Sequence, residues 1–484
     1  MYKLLLIFRY FQRKLVAVFA LLAVTLCTAM VIIVISVMGG FLDLMTHTAK
    51  SLSGDVVIER DLTGFAHYDE LLESLRALDE VSGGAALVRG FGLIKIHGAI
   101  RGVHITGIRP EQFNQVTNYR EALHWTSEHY LKHYDDLMER YGPQSEAALK
   151  RIRASYEQHD LVDDAMVFRC PGCDPGLPGI VPGIAVSPIN NRDDQGQYDL
   201  WELSTGNPAV LTVLPITTEG GTLAPAVQKF NVVNEFKSGF MELDFNFVYV
   251  PFDVLQRMLQ MDEAQGYDDD GNPTGVPVPA RATQITVRGA PNYSLKQIEN
   301  AVQQEVEAFT ARTGGQPLFV KNWLDDRFGT ILAAVRKEKG MMAFLFGVIS
   351  LVAVVMVAVI FYMIVMDKTR DIGVLRAIGA SKGGIASIFL GYALAVGIVG
   401  AALGLALAAV VVWNLNEIQE LLAQWIGFRM WDPTIYYFDR IPGRLDPKEV
   451  TIIMVSAVVA SVLGALVPAW LAARTDPVAS LRYE

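Results

Sequence analysis

The sequence predicts an α-helical membrane protein with four transmembrane helices plus a large α/β extracytoplasmic domain inserted between helices 1 and 2. Three observations lead there. Hydrophobic residues make up 51% of the 484 and charged residues only 19%, below the usual quarter of a soluble chain. The apolar residues gather in four charge-free blocks, about 15–39, 341–366, 385–413 and 450–472, each long enough to cross a hydrocarbon layer of about 30 Å as a helix. Lys and Arg flank these blocks unevenly, and that bias sets the orientation.

Taken in order, residues 1–45 hold a basic N-terminal segment (Lys3, Arg9, Arg13, Lys14) and helix 1. The basic flank places this end in the cytoplasm. The apolar core is too long for a signal peptide and shows no small-residue cleavage site, so an uncleaved anchor is expected. Residues 46–335 then lie outside. Strand-like text at 54–60 precedes an amphipathic helix at 68–78 and strands between 86 and 108. Residues 111–164 turn helix-forming and rich in His and Tyr, 170–188 are rich in Pro and Gly, and 190–199 are polar. Strands are expected at 209–215 and 230–250, a helix at 251–261, and an acidic linker at 267–275. A strand at 283–288, a helix at 294–311 and a strand at 317–320 close the region. The β-α-β pattern at both ends predicts one α/β domain made by the flanks and interrupted by a second, with an insert at about 111–205.

Residues 336–366 are expected to form a surface elbow helix, carrying Arg336, Lys337 and Lys339, followed by helix 2. Positive charge on the outer side is tolerated there, at the end of a long translocated loop. A short loop at 367–384 separates helix 2 from helix 3 at 385–413. Residues 414–449 form a short outer loop in which Trp413, Trp425, Trp431, Tyr436, Tyr437 and Phe438 make an interfacial belt or a contact for a partner or substrate. Helix 4 follows at 450–473, and a cytoplasmic tail at 474–484 carries Arg474 and Arg482. An even number of spans places both termini in the cytoplasm.

The loop DKTRDIGVLRAIGAS at 367–381 carries the most information. Lys368, Arg370, Arg376 and Lys382 turn it to the cytoplasm. Ile372, Leu375 and Ile378 recur at roughly helical spacing among the charges, predicting a short amphipathic helix at the membrane face. Such a helix is a handle, and force is expected to enter there.

Other chemistry is sparse. The net charge of −10 sits mainly in the middle of the chain and argues against a nucleic-acid partner. No G-x-x-x-x-G-K-[ST] phosphate loop occurs, so ATP, if used, is bound by another subunit. Cys170 and Cys173 form CPGC, a small disulfide or redox pair. Pro175, Pro178 and Pro182 follow in place of a helix, which favours a structural disulfide or free thiols. Cys27 lies in the first span, so no zinc set assembles. His124, His129 and His133 read as a solvated helix face. Asn191, Asp193, Gln195, Gly196, Asp199 and Glu202 imitate a calcium loop without Asp at its first and fifth positions. Gly391, Gly397, Gly400 and Gly404 in helix 3 permit close helix contact, a spacing common to apolar helices.

Three stretches resemble the FtsX/MacB superfamily of ABC transporter permeases, and most of all its Lol-type (LolC/LolE) lipoprotein-releasing transmembrane subunits. They are RKEKGMMAFLFGVISLVAVVMVAVIFYMIVMDKTRDIGVLRAIGAS, the ending YYFDRIPGRLDPKEV…VPAWLAARTDPVASLRYE, and FKSGFMELDFNFVYVPFDVLQRML. Asp371 stands where Glu is common and Leu471 where a basic residue is common, and 111–205 have no counterpart in the pattern. The resemblance implies a non-catalytic permease dimer in the bacterial inner membrane, driven by two copies of a separate ATPase that binds ATP and Mg. No cofactor is expected on this chain.

By the same resemblance, Lys368, Thr369, Arg370, Asp371, Ile372, Gly373, Leu375, Arg376, Ile378 and Gly379 would contact the ATPase, with Ile372, Leu375 and Ile378 as the buried face. Acyl chains of a lipoprotein would enter a cavity between the first two helices of both subunits, walled by Met38, Phe41, Leu42, Met45, Met341, Met342, Phe344, Leu345 and Phe346, types suited to variable lipid tails. Implied partners are the ATPase, a second permease (identical or paralogous), the lipoprotein, a periplasmic carrier and membrane lipid. Alternatives are an FtsX-like mechanotransmitter that activates a cell-wall hydrolase, a MacB-like efflux permease, and a membrane sensor.

Overall fold

The computed structural model describes residues 15–61, 63–128, 160–170, 173–190, 198, 206–216, 221, 223–267, 273–315, 317–324, 327–426 and 440–474. The chain divides into a helical unit, Met1–Leu44 with Ala333–Trp431 and Arg440–Glu484, and a sheet-rich unit, Met45–Leu332 with Asp432–Asp439.

The described chain opens on α1 (Leu15–Ser53), followed by β1 (Val56–Glu59), β2 (Phe65–Ala66) and α2 (Tyr68–Arg76). Strands β3 (Val81–Ile96) and β4 (Ala99–Ile108) lead to α3 (Pro110–Val116), α4 (Tyr119–Ala122) and α5 (Leu161–Met166). Next come β5 (Gly179–Pro182), β6 (Pro208–Val213), β7 (Ala226–Val232), α6 (Met241–Asn246), β8 (Phe247–Pro251) and α7 (Phe252–Met258). The unit ends with β9 (Ala264–Tyr267), β10 (Pro273–Val278), β11 (Arg281–Ala282), β12 (Gln284–Gly289), α8 (Leu295–Thr313) and β13 (Phe319–Asn322). The remaining helices are α9 (Arg327–Asp367), α10 (Thr369–Ala377), α11 (Lys382–Trp413), α12 (Leu415–Ile426) and α13 (Pro447–Arg474).

The sheet-rich unit is organised by β3, which serves two ladders. Residues 81–87 pair antiparallel with β12, and β12 continues through β1 to β13. From Val88 onward β3 pairs with β4, and from Gly92 to Ile96 with β6 as well. The ladder runs from β4 through β8, β5 and β7 back to β6. Six strands therefore close into a barrel, which leaves no edge among them. A Cβ at Gly92 would collide with the carbonyl of Thr212, so glycine is required where β6 closes on β3. His97 and Gly98 join β3 to β4 with φ of 46° and 80°, the two positive φ values of a type I′ hairpin turn. Ile94, Ile96, Val103, Ile105, Leu211 and Phe230 are among the buried side chains of the core.

The helices of this unit follow their apolar spacing. In α2, Tyr68, Leu71, Leu72 and Leu75 are buried on one face. α8 starts in a capping box between Ser294 and Gln297, buries Ile298, Val302, Val306 and Phe309, and stops at Gly314 with φ of 62°.

Three sequence expectations change here. The flanks and the middle do not make separate domains: the 16-residue β3 is long enough to belong to both half-sheets. Its glycines Gly83, Gly84, Gly90 and Gly92 break the alternation that marks one strand. The stretch expected as an acidic linker holds the end of β9 and the start of β10, which pair antiparallel. The stretch expected as strand at 230–250 holds α6 between two strands.

Among the described residues, four helices are long and apolar enough to cross a membrane, with candidate spans Val18–Thr48, Leu332–Asp367, Lys382–Trp413 and Pro447–Arg474. They pack through small residues. A Cβ on Gly400 would lie 2.8 Å from Val24, one on Gly404 2.8 Å from Thr28, and one on Gly464 2.8 Å from the Val354 carbonyl. Ser461 donates to the Ala393 carbonyl at 2.9 Å. Without a hydrophobic drive between helices in lipid, such close approach and buried hydrogen bonds hold the bundle. At one end of α1, the Arg444 N–H donates to the Ser36 carbonyl at 3.1 Å, and its guanidinium pairs with Asp43.

No separate elbow forms: α9 runs unbroken from Arg327 to Asp367, although it holds Gly329, Gly340 and Gly347, since a single interior glycine costs about 1 kcal/mol and does not by itself stop a helix. The expected short outer loop contains α12, whose apolar positions recur at helical spacing (Leu415, Ile418, Leu421, Leu422, Trp425).

Candidate functional site

α10 is anchored at both ends. Thr369 Oγ1 donates to the Met366 carbonyl at 2.7 Å and to the Val365 carbonyl at 3.2 Å. Lys368 pairs with Asp371 at 2.8 Å, placing a carboxylate in the first turn where the helix dipole favours it. At the other end, Gly379 N–H donates to Arg376 O at 3.1 Å and Ala380 N–H to Leu375 O at 3.0 Å, with Gly379 at φ of 98°. This is a Schellman cap, and it requires a residue that tolerates the left-handed region. Ser381 then opens α11 by accepting from Gly384 N–H at 3.1 Å.

The predicted apolar face of α10 does not hold together. Ile372 is 3% exposed and packs with Val365, Ile385, Phe389, Ala469 and Ala472, so it pins α10 to its own bundle. Gly373 is also buried, while Leu375 and Arg376 are half-buried. Arg376 donates to the Ala473 carbonyl at 3.4 Å. Ile378 is 77% exposed and Val374 47%; Arg370, Asp371 and Gly379 are exposed too, with Lys368 and Thr369 half-buried. The cause is angular. At about 100° per residue, Ile378 and Val374 lie roughly 240° and 200° from Ile372, on the opposite side. Sequence reading missed Val374, which a helical wheel brings beside Ile378.

A second site is a cavity of about 610 Å³ between α1, α9 and α13. Its walls are mainly apolar, with small residues such as Ala343, Gly347, Ala353 and Ala457 among larger ones such as Val31, Ile35 and Ile453. Cys27 and Ser350 face each other across it at 3.6 Å. Charge is confined to one end, where Lys339 pairs with Glu449 at 2.6 Å beside Arg336.

Of the residues predicted to wall a lipid cavity, Phe346 alone lines this one. Met341, Phe344 and Leu345 point outward, with Phe344 70% exposed. Met342, Met38, Phe41 and Leu42 are half-buried, and Met45 is buried and belongs to the sheet-rich unit. The type of residue misled the reading: large apolar side chains cover the lipid-facing side, while the hollow is made by small ones.

In the sheet-rich unit Cys170 and Cys173 are disulfide-bonded, their Cα atoms 5.5 Å apart. His124 lies outside any helix and packs on the rings of Trp125 and Tyr198 at 4.5 and 5.9 Å, rather than on a solvated helix face. His129, His133, Asn191, Asp193, Gln195, Gly196, Asp199 and Glu202 lie outside the described residues, as do Trp431, Tyr436, Tyr437 and Phe438. Trp413 and Trp425 are exposed, at 77% and 84%. Among the described residues no cluster could hold a metal ion. A smaller cavity of about 330 Å³ is lined by Glu59, Arg89, Phe91, His104 and Lys321, with Lys321 on Glu59 at 2.6 Å and the His104 ring stacked on Phe247 at 4.8 Å. Burial pushes the Tyr119 phenol well above its usual value, so it stays neutral.

Residues 343–477, which contain α10 and most of the cavity wall from α9 and α13, match the family model described as FtsX-like permease C-terminal. The chain carries an FtsX-like permease domain. The chain is also similar to the lipoprotein-releasing system transmembrane protein LolC of Xylella fastidiosa (strain 9a5c), 27% identical over 268 residues, covering 55% of this chain and 58% of that one. LolE of Haemophilus influenzae is 28% identical over 162 residues, 34% of this chain and 39% of LolE. This chain thus spans less than two thirds of the curated relatives it matches. Among solved structures, the periplasmic region of MacB from Actinobacillus actinomycetemcomitans covers 61% of this chain and 98% of its own, at 10% identity and a TM-score of 0.28; at that score the likeness carries no argument.

Proposed function

We propose that this chain is the permease subunit of an ABC transporter that uses a separate ATPase to extract lipoproteins from the outer leaflet of the inner membrane and release them to a periplasmic carrier. The observation that carries the reading is α10 within the matched permease domain: a capped helix that is fixed to its bundle by Ile372 and offers Val374 and Ile378 outward. An exposed apolar pair on a short capped helix between two spans is a surface that a partner can cover. The partner is the ATPase, which holds ATP and Mg, and this chain performs no chemistry of its own.

The anchoring explains how force would pass inward. Ile372 touches the ends of α9, α11 and α13 together, and Arg376 holds the last turn of α13. A displacement of α10 therefore cannot leave those helices in place, since packed cores transmit rather than absorb strain. A second permease copy or paralogue completes the transporter. The chain sits in the inner membrane with both termini in the cytoplasm, following its basic flanks. Similarity to proteins named for lipoprotein release supports the substrate class.

The test is pull-down of the full chain from membranes in mild detergent, with mass spectrometry of what accompanies it. An ATPase with acylated lipoproteins is expected. An ATPase with a cell-wall hydrolase and no lipoprotein would replace this reading by the FtsX-like mechanotransmitter. No ATPase under conditions that keep the membrane complex intact would overturn the transporter assignment.

A further inference from the structure

We propose that the cavity between α1, α9 and α13 is a binding site within a single chain for one acyl tail of an anionic phospholipid, with the phosphate at Arg336 and Lys339. The proposal stands on the helical unit alone and holds whether or not the chain releases lipoproteins.

The shape and chemistry of the cavity are those of an amphiphile. At about 610 Å³ it falls within the range of ordinary ligand sites. Its lining on α9 runs from Arg336 to Val357, which at 1.5 Å per residue is about 30 Å of helix. Every charged side chain that lines it, Arg336, Lys339 and Glu449, is at one end. The rest of the wall is uncharged. A water needs two to four polar partners to be held in such a space, and polar groups along the depth are few: Cys27 engages Ser350 and Ser461 the Ala393 carbonyl, leaving the hydroxyls of Thr28 and Ser456. Apolar contents are therefore favoured along the depth, and a polar group at the charged end.

The charge at that end decides the occupant. Two cations face one carboxylate. Lys339 is paired with Glu449, while Arg336 has no ion-pair partner among the described residues. A phosphate is a good fit for a guanidinium that has room for a second ligand. Small side chains make the hollow itself: Gly340, Ala343, Gly347 and Ala353 are spaced along one side of α9. At depth Gly464 of α13 approaches the Val354 carbonyl of α9 so closely that a Cβ would lie 2.8 Å away. That contact and the Lys339–Glu449 pair join α9 to α13 at the two ends, with the cavity between them. Glu449 also competes with the phosphate for Lys339, so the pair acts as a latch that weakens binding.

The experiment uses the full chain in lipid nanodiscs with a phosphatidylglycerol that carries a mid-chain diazirine, photolysed and mapped by mass spectrometry. Label is expected on inward positions such as Ala343, Gly347 and Ala457. Unlabelled phosphatidylglycerol should compete at least tenfold better than the diacylglycerol with the same tails. Arg336→Gln should lower labelling several-fold, and Glu449→Gln should raise it. Gly347→Leu should fill the hollow and abolish inward label. Should that variant fail to fold, wild-type mapping and the mouth variants still decide the matter. Label confined to outward positions such as Phe344, Val348 and Val352 would mean bulk lipid only and would overturn the proposal. Equal competition by diacylglycerol would remove the phosphate from it, and competition by a diacylated lipopeptide alone would make the cavity a cargo site instead; either result overturns the phospholipid assignment.

Discussion

The two units of this chain keep their interiors in opposite ways. The sheet-rich unit buries large side chains: Phe230, Phe252, Ile94 and Leu75 are all nearly or fully inaccessible. The helical unit turns many of its large side chains outward, as with Phe344, Val352 and Val355, and beside a few buried large ones such as Ile32 and Phe361 it packs its interior with Gly400, Gly404, Ser461 and Ala465. Water explains the first arrangement, because burying apolar surface is what drives that fold. Lipid explains the second, because the surroundings are as apolar as the core and only closeness of approach distinguishes inside from outside. The comparison teaches that deletion of volume should break one unit and addition of volume the other.

The largest expected effect tests the first half of that contrast. Phe230→Ala leaves a hollow in the closed barrel and should cost about 3–5 kcal/mol, seen as earlier proteolysis of the sheet-rich unit in a urea series. Gly404→Leu tests the second half. Its side chain would meet Thr28 and the Thr25 carbonyl, at 2.8 and 2.9 Å from the first added atom, and overpacking of this kind should cost about 1–3 kcal/mol. Thermal unfolding in detergent should show the loss, while the barrel resists protease as before.

A third substitution sharpens the contrast within a single helix. Ile378→Asp, on the exposed edge of α10, should leave folding unchanged and weaken ATPase binding at least tenfold, about 1.4 kcal/mol. Ile372→Asp should instead damage the bundle, since it buries a carboxylate beside Phe389 and Ala469. Pull-down together with thermal unfolding separates the two outcomes.

The smallest effect concerns the start of α13. Asp446 accepts from the Lys448 N–H at 2.8 Å just ahead of Pro447, and that hydrogen bond holds its carboxyl below the usual value. Asp446→Ala removes this cap and should lower the thermal midpoint only slightly. Because the folded group titrates lower than the unfolded one, the contribution is present above the ordinary Asp value near pH 3.9 and fades as pH falls below it. Thermal unfolding of wild type and Asp446→Ala at pH 7 and near pH 3 should therefore converge at the lower pH.

Much of the helical unit was legible in the sequence, because four charge-free blocks and the basic spacing at 368–382 are local signals. The residue-level face of α10 was misread. Ile372 was grouped with Ile378, although at about 100° per residue the two lie roughly 240° apart and fall on opposite sides of this nine-residue helix. The cavity was missed because the positions that open it on α9, Gly340, Ala343, Gly347 and Ala353, are small residues that read as helix packing. In the sheet-rich unit, individual strands such as β1 and β12 could be read from alternation. That β3 serves two ladders and that β6 returns to it could not, since ring closure depends on pairings more than 100 residues apart in the chain.

The most direct test of the account is photo-crosslinking from α10 in native membranes, with the crosslinker placed in turn at positions 372, 374 and 378. The account predicts adducts with a nucleotide-binding subunit from 374 and 378, and none from 372. Adducts from 372 alone, or none from any of the three while the ATPase still co-purifies, would contradict it.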